Sequence, residues 1–324
     1  MKALVTGGAG FIGSNIVDAL VARGDDVAVL DDLSTGSREN LASAIAAGAA
    51  LHRLDVVDGA AVRDLLAELR PHVVFHLAAQ IDVRLSVEDP GADARANVEG
   101  TVNVLEAARA AGVARVVLSS TGGAIYGEAD VMPTPEDAPS RPLSPYGQAK
   151  HAAEGYCSLY AVLHGLSTIA LRYANVYGPR QDPLGEGGVI AIYCNRLATG
   201  EQPAVYGDGR QTRDFVYVED VVRANLLAAE RELTGSYNIG TGAETSVLEL
   251  AEQVGALAHG PFEPRFEPAR AGEVRRSCLD PSRTRAQLGW SAETSLADGL
   301  RRTLAHQERA AAAPAAGGAP ADAR

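Results

Sequence analysis

Residues 2–13 read Lys2-Ala3-Leu4-Val5-Thr6-Gly7-Gly8-Ala9-Gly10-Phe11-Ile12-Gly13, and this stretch decides the fold. A short apolar run enters a glycine-rich turn, and an apolar pattern of helical period follows over 13–23. The spacing predicts strand, tight turn and helix. Glycines at 7, 10 and 13 permit a sharp turn, close approach of backbone N–H groups to a pyrophosphate, and close helix–strand packing. The positive end of the helix then faces the anion. A second strand predicted over 27–30 ends at Asp31, about 20 residues beyond the glycines, where an acid binds the ribose hydroxyls of a dinucleotide. A carboxylate there repels a 2′-phosphate, so NAD is expected rather than NADP. Asp32 stands beside it as a second acid.

Outward from this unit, short apolar runs at 73–77, 115–119 and 168–172 read as further strands. Helical patterns at 62–69, 98–111 and 147–164 lie between the runs. Continuous rather than alternating apolar strands imply burial on both faces, hence a doubly wound parallel sheet of the Rossmann type. The second half is richer in loops. Residues 178–188 carry two prolines and several glycines and read as a long ligand-side loop, with helices expected at 189–199, 219–232, 247–258 and 297–305. The expected division is an NAD-binding domain over 1–174, to which 212–240 returns, and a smaller α/β substrate domain over 175–309. Residues 310–324, almost all Ala, Pro and Gly, are expected to be a disordered tail.

Composition narrows the function classes. Lys plus Arg number 29 against 41 Asp plus Glu, a formal charge of −12, which disfavours nucleic acid as a partner. An anionic ligand must therefore be held by local positive groups. No apolar stretch approaches a membrane span, and the apolar run at the start is too short for a signal-peptide core. Cys157, Cys194 and Cys278 are widely spaced, without Cys-x-x-Cys, so the reading is a reduced cytoplasmic protein with no disulfide framework and no metal site.

The chemistry-bearing stretch is Ser144-Pro145-Tyr146-Gly147-Gln148-Ala149-Lys150. Tyr146 and Lys150, four apart, share one face of a helix that starts at Pro145. A free phenol ionises near 10, and a drop of ~3 units needs about 4 kcal/mol, which a nearby ammonium together with an oxidised nicotinamide in a shielded cleft can supply. The strand at 116–119 runs into Ser119-Ser120-Thr121-Gly122-Gly123-Ala124-Ile125-Tyr126, placing hydroxyls at a C-terminal strand end, where ligands of parallel sheets bind. Thr121 is the expected partner of Tyr146; Ser120 stays open as the alternative.

These residues together resemble the extended short-chain dehydrogenase/reductase superfamily, and within it the nucleotide-sugar 4-epimerases of the UDP-glucose 4-epimerase family. The resemblance covers 1–309 and rests on motifs in order: Gly7-x-x-Gly10-x-x-Gly13, Asp31, Asp55-Val56, His76-Leu77-Ala78-Ala79-Gln80, Asn97-Val98-Glu99-Gly100-Thr101, Tyr146 with Lys150, Leu171-Arg172-Tyr173-Ala174-Asn175, Arg213-Asp214-Phe215 and Arg270-Ala271-Gly272-Glu273. It implies cofactor contacts at Gly7, Gly10, Phe11, Ile12, Gly13, Asp31, Asp32, at Asp55 and Val56 beside adenine, and at Leu77, Ala78 and Ala79. Asn97 is expected beside the diphosphate, with Ser119, Tyr146 and Lys150, and Tyr173 bordering the nicotinamide. For the substrate it implies Thr121, Tyr146, Asn175, Gly188, Val189, Val205, Tyr206 and Glu273, with Arg213 and Arg270 clamping the UDP diphosphate. Two guanidinium forks suit a diphosphate in an acidic protein. A homodimer built through helices at 97–111 and 147–164 is implied as well.

The resemblance also bears on the reaction. Sugar 4,6-dehydratases of this fold place an Asp-Glu pair after the catalytic hydroxyl, and UDP-glucuronate decarboxylases place a glutamate there. This chain has Gly122-Gly123-Ala124, with no ionisable group before Tyr126. The expected reaction is therefore inversion at C4 of a UDP-sugar through a 4-keto intermediate, with Thr121, Tyr146 and Lys150 catalytic. Net reduction and a non-catalytic NAD-binding scaffold are the competing readings. Ser277 stands where some members carry a bulky tyrosine, leaving room for larger 2-substituents. Arg180 and Arg196 are the candidates to pair with a hexuronate carboxylate.

Overall fold

Both faces of the first strand are buried, and that sets the layering. In β1 (Lys2–Thr6), Ala3 and Val5 pack into one apolar layer while Leu4 packs into the other. β2 (Asp26–Asp31), β4 (Val73–His76), β5 (Arg115–Thr121) and β6 (Ser167–Tyr173) alternate in the same way. The computed structural model describes residues 1–183, 188–257, 263–269 and 274–312. With β3 (Ala50–Arg53) and the strand Gly235–Ile239, these strands form a seven-stranded parallel sheet. From one edge the order is Gly235–Ile239, β6, β5, β4, β1, β2, β3. The order reverses after β3, so a crevice opens at the C-terminal ends of β1 and β4.

Helices Phe11–Ala22 and Val218–Glu230 cover one face through Ile16, Val17, Leu20, Val221 and Ala224. Helices Gly59–Leu69, Gly100–Ala111 and Pro145–His164 cover the other. The fold is thus the doubly wound Rossmann arrangement. A third apolar cluster gathers Tyr177, Tyr193, Val205, Phe215, Tyr217, Leu250 and Leu300 beneath helices Val189–Ala198, Val247–Gly255 and Leu296–Ala312. Small sheets flank it, including Thr212–Arg213 between Thr245–Ser246 and Arg276–Ser277.

Two strands of the central sheet go unread in the sequence, Ala50–Arg53 and Gly235–Ile239, as do the short strands of the smaller sheets. The first is a half-exposed edge with exposed ends, and the second reads Gly-Ser-Tyr-Asn-Ile. The expected tail also needs correction at its start: Ala310–Ala312 continue helix Leu296–Ala312, since alanine has the highest helix propensity. The rest of that stretch, from residue 313, lies outside the described residues, as do Arg270, Glu273 and residues 184–187 of the glycine-rich loop.

A buried ion pair locks β5, β6 and helix Pro145–His164 together. Arg172 donates through Nε and a terminal nitrogen to both oxygens of Glu154, at 3.0 and 2.7 Å. Ser120 and Ser236 also donate to that carboxylate, while Arg172 donates to the Tyr126 hydroxyl at 2.7 Å and to the Glu136 carbonyl. Both side chains are almost fully buried. Removing one partner strands a charge in the core, so Arg172→Met is expected to lower the unfolding free energy in urea by about 3–5 kcal/mol. Pairing it with Glu154→Gln should recover much of that loss.

Candidate active site

The glycine turn fits a dinucleotide for stereochemical reasons visible at two positions. Gly7 has φ +67°, and a Cβ there would lie 2.6 Å from the Ala78 amide nitrogen. A Cβ on Gly13 would lie 2.1 Å from the Gly7 carbonyl oxygen. Turn, helix and the loop after β4 are thus in backbone contact, and only glycine allows it. The following helix begins at Gly10 with no side chain capping it, so its first N–H groups face the crevice unspent by a cap and suit an anion. Asp31 ends β2 and accepts from Ala9 N at 2.8 Å and Leu33 N at 2.9 Å. Each carboxylate oxygen keeps lone-pair capacity for a ribose hydroxyl. Burial raises the Asp31 carboxyl above its ordinary range, and these two hydrogen bonds oppose the rise.

Around this cradle the other expected cofactor residues take several parts. Leu77 and Ala78 donate to Thr6, through its carbonyl and hydroxyl oxygens. Ala79 follows them in the same loop, and Phe11 and Ile12 open the first helix. Asp32 is turned to Ser34. Asp55 accepts from Val57 N at 2.9 Å, and Val56 is buried against Gly100. Asn97 sits in a single π-helical turn, Arg95–Glu99, with its amide spent inward: it accepts from Gln80 N and donates to Gln80 O and Asp93. It shapes the loop after β4 rather than turning its amide outward.

At the catalytic end, Ser144 caps helix Pro145–His164 by accepting from Gly147 N at 3.1 Å. A Cβ on Gly147 would lie 2.5 Å from the Ala124 carbonyl, so the helix start is pressed against the turn after β5. This close approach sets Tyr146 near Thr121, whose hydroxyl counters the rise of the phenol's ionisation. Ser120 is committed elsewhere, donating to Glu154 inside the core. Geometry therefore favours Thr121 of the two hydroxyls. Lys150 is buried and donates to the Ser119 carbonyl at 3.1 Å. The Ser119 hydroxyl faces the other way, to Tyr173 at 2.9 Å, and Tyr173 is further held by Asn225.

The sequence reading expects a lowered Tyr146, and without ligand the balance runs in the opposite direction. Burial pushes the phenol up to about 12; the charge of Asp93 adds to the rise, and the Thr121 hydrogen bond opposes it. Burial also pulls the Lys150 ammonium down to about 8, against the nearby charges of Asp93 and Glu154. Desolvation outweighs the helix-face pairing here. The dyad needs a further positive charge in the crevice to ionise near neutrality.

On the substrate side, Asn175 approaches Thr121 across Gly123: a Cβ on Gly123 would lie 3.9 Å from the Thr121 hydroxyl and 4.0 Å from the Asn175 amide oxygen. A Cβ on Gly122 would instead meet Leu279 at 2.5 Å. Arg213 lies in register with Ser277 in the small sheet. Gly188 and Val189 start helix Val189–Ala198. Val205 is fully buried, so its side chain belongs to the core, and the neighbouring Tyr206 is half-buried. Of the two arginines considered for a hexuronate, Arg180 pairs through one terminal nitrogen with Asp18 of the first helix while its other terminal nitrogen is buried without a hydrogen-bond partner, and Arg196 donates to the Gln202 carbonyl at 3.1 Å. Sequence reading missed Asp93 altogether.

The comparisons with known proteins agree with this geometry. The NAD dependent epimerase/dehydratase family model matches residues 3–240. The UDP-glucose 4-epimerase of Mycolicibacterium smegmatis is 49% identical over 306 residues, spanning 94% of this chain and 97% of that protein. The Thermotoga maritima UDP-glucose 4-epimerase, solved with UDP-glucose, superposes with a TM-score of 0.92 at 45% identity, covering 96% of this chain and 99% of that one. The Thermus thermophilus UDP-glucose 4-epimerase complex with NAD gives 0.88 at 45% identity, covering 95% and 99%.

The glycine geometry yields a direct test. Gly13→Ala drives a methyl group into a backbone carbonyl, so the purified variant is expected to lose bound dinucleotide. Nucleotide released by acid is quantified by chromatography, with far-UV circular dichroism confirming that the helices persist.

Proposed function

The chain belongs to the NAD-dependent epimerase/dehydratase family, and we propose that within it the protein inverts C4 of a UDP-hexose, interconverting UDP-glucose and UDP-galactose. The observation that carries this reading is Tyr146, one helical turn from Lys150, on a helix start pressed against the turn after Thr121, a turn with no ionisable group between Thr121 and Tyr126. Elimination of water or loss of a carboxylate calls for an acid there. Inversion needs one base and a sugar free to turn over.

NAD, when bound, supplies the acceptor for the C4 hydrogen and returns it, and its positive ring favours the phenolate. The glycine turn, the first helix and Asp31 hold it. The Tyr146 oxygen takes the proton of the sugar 4-hydroxyl, with Thr121 bridging, and gives it back once the 4-keto sugar presents its other face. Lys150 keeps the proton balance on its side of the dyad by holding its ammonium against the Ser119 carbonyl. Arg213, together with Arg270, grips the diphosphate firmly while the sugar stays loosely held. Asn175 is placed to contact it across Gly123. Support for a hexuronate is reduced, because Arg180 is held by Asp18 and Arg196 by the Gln202 carbonyl. The smaller domain over 175–309 supplies the substrate side, and segment 212–240 spans both.

The second part of the reading is a homodimer. Tyr156, Leu159 and Leu163 share one face of helix Pro145–His164 and are 37%, 46% and 63% exposed. A second copy pairing through that face would bury them. Free, buried Cys157, Cys194 and Cys278 suit a reducing cytoplasm, and no helix among the described residues is long and apolar enough to cross a membrane.

Epimer interconversion of UDP-glucose, UDP-galactose and their N-acetylated forms, followed by NMR, tests the activity. Tyr146→Phe is expected to lower kcat about 10²–10⁴-fold, and Thr121→Ala to lower it as well, while Ser120→Ala stays within about tenfold of wild type. No turnover of any UDP-sugar by the wild type would reject the reading. For assembly, Leu159→Glu with Leu163→Glu should convert a dimer to a monomer in light scattering, and an unchanged mass would reject the helix face as the interface.

A further inference from the structure

Asp93 is a buried carboxylate that the mechanism above leaves without a task. It lies in the short helix Pro90–Ala94, packed against helix Pro145–His164, and is 1% exposed. One carboxylate oxygen is satisfied twice, by Gln80 Nε2 and Asn97 Nδ2, each at 2.9 Å. The other is buried with no hydrogen-bond partner. A carboxylate oxygen left bare in the interior is expensive unless a charge compensates it. The π-helical turn at Arg95–Glu99 brings Asn97 to it and so fixes the carboxylate's orientation.

We propose that Asp93 is a positioning residue for the catalytic dyad: its buried charge, on a helix packed against the one that carries both groups, favours Lys150 in the ammonium form and sets the pH range in which Tyr146 and Lys150 work together. This rests on the reading that the two carry the chemistry. Asp93 is within electrostatic reach of both, attracting the ammonium and opposing the phenolate. The other groups around Lys150 do not replace it. His76 of β4 is fully buried between Thr6 and Thr101 and stays neutral, held down to about 3 by burial and by Lys150 itself. Glu154, on the same helix as Lys150, is neutralised by Arg172 of β6. Cys157, one turn further on, is held as a thiol, its ionisation pushed up to about 12 by burial. That leaves Asp93 as the anion whose charge is not already matched. Removing it makes both groups give up protons more readily, so both limbs of the activity profile move to lower pH.

The sequence offers an unusually clean readout, for the chain holds two lysines, Lys2 and Lys150. Lysine labelled with ¹³C at Cε gives one resonance for each, and Lys2, at the surface beside Asp26, is the internal control. In the protein as purified, Asp93→Asn is expected to lower the Lys150 titration midpoint by about one pH unit or more, with Lys2 unmoved. Both limbs of the kcat profile with UDP-galactose should follow it downward. An unmoved Lys150 midpoint overturns the proposal, including the case in which activity falls equally at every pH, the mark of a purely structural part. If Asp93→Asn does not fold, Asp93→Ser, still able to accept from Asn97 or Gln80, supplies the same comparison. Should the wild type turn over no UDP-sugar, the functional reading fails, and the lysine titration decides the role of Asp93 by itself.

Discussion

A protonated lysine inside a protein must be held there by acceptors and charge, and the site is built around that demand. Lys150 has lost nearly all its water and finds the Ser119 carbonyl at 3.1 Å. Desolvation disfavours its charged form, just as it disfavours the Tyr146 phenolate. Two buried ionisable groups on one helix face would therefore both drift to neutrality if left alone. For the lysine this is opposed by charge placed nearby, the carboxylates of Asp93 and Glu154; for the phenol it is not, and Asp93 adds to the drift. The dyad is thus incomplete in the protein alone, and coupling its ionisation to cofactor binding keeps a strong base from standing exposed to water.

One continuous chain of hydrogen bonds runs from the cofactor cradle to Asp93. Ala78 N donates to Thr6, Thr6 meets His76 at 2.7 Å, His76 meets Thr101 at 3.0 Å, and Thr101 donates to the Asn97 carbonyl. Asn97 then holds both Gln80 and Asp93. Every link is buried or half-buried, where an unmade bond carries its full desolvation penalty. The backbone contacts at Gly7 and Gly13 fix one end of this chain, and the unmatched oxygen of Asp93 is the other. Keeping His76 neutral matters here, because a second cation beside Lys150 would cancel the effect of the anion.

How much of this could be read beforehand differs by residue. The glycine turn, Asp31, Tyr146 and Lys150 were legible because local spacing alone specifies them. The choice between Ser120 and Thr121 was not, since consecutive strand residues point to opposite faces and only the packing of Glu154 shows which hydroxyl is consumed. Arg180 and Arg196 looked available for a substrate carboxylate, yet Asp18 and the Gln202 carbonyl, far and near in sequence, already engage them. Asp93 carried no motif of its own. Its meaning comes from a helix–helix contact across more than fifty residues, which periodicity does not report. The strand Gly235–Ile239 escaped because its buried Asn238 is satisfied by Thr134, Asp280 and Tyr126, so a polar residue occupies a core position.

Inversion at carbon also places a demand opposite to the rigidity of the dyad: the sugar must turn over while its nucleotide stays fixed. The two glycines after Thr121 answer it differently. Gly122 is required by packing, because Leu279 fills the place of any side chain there. Gly123 faces Thr121 and Asn175 at ordinary contact distance, so a side chain would fit, and its absence leaves open volume beside the base. An acidic group in that volume would add a second proton-transfer partner and restrict rotation at once. Leaving it empty puts no second acid or base beside the sugar, which suits a reaction whose only proton transfer is at the 4-hydroxyl.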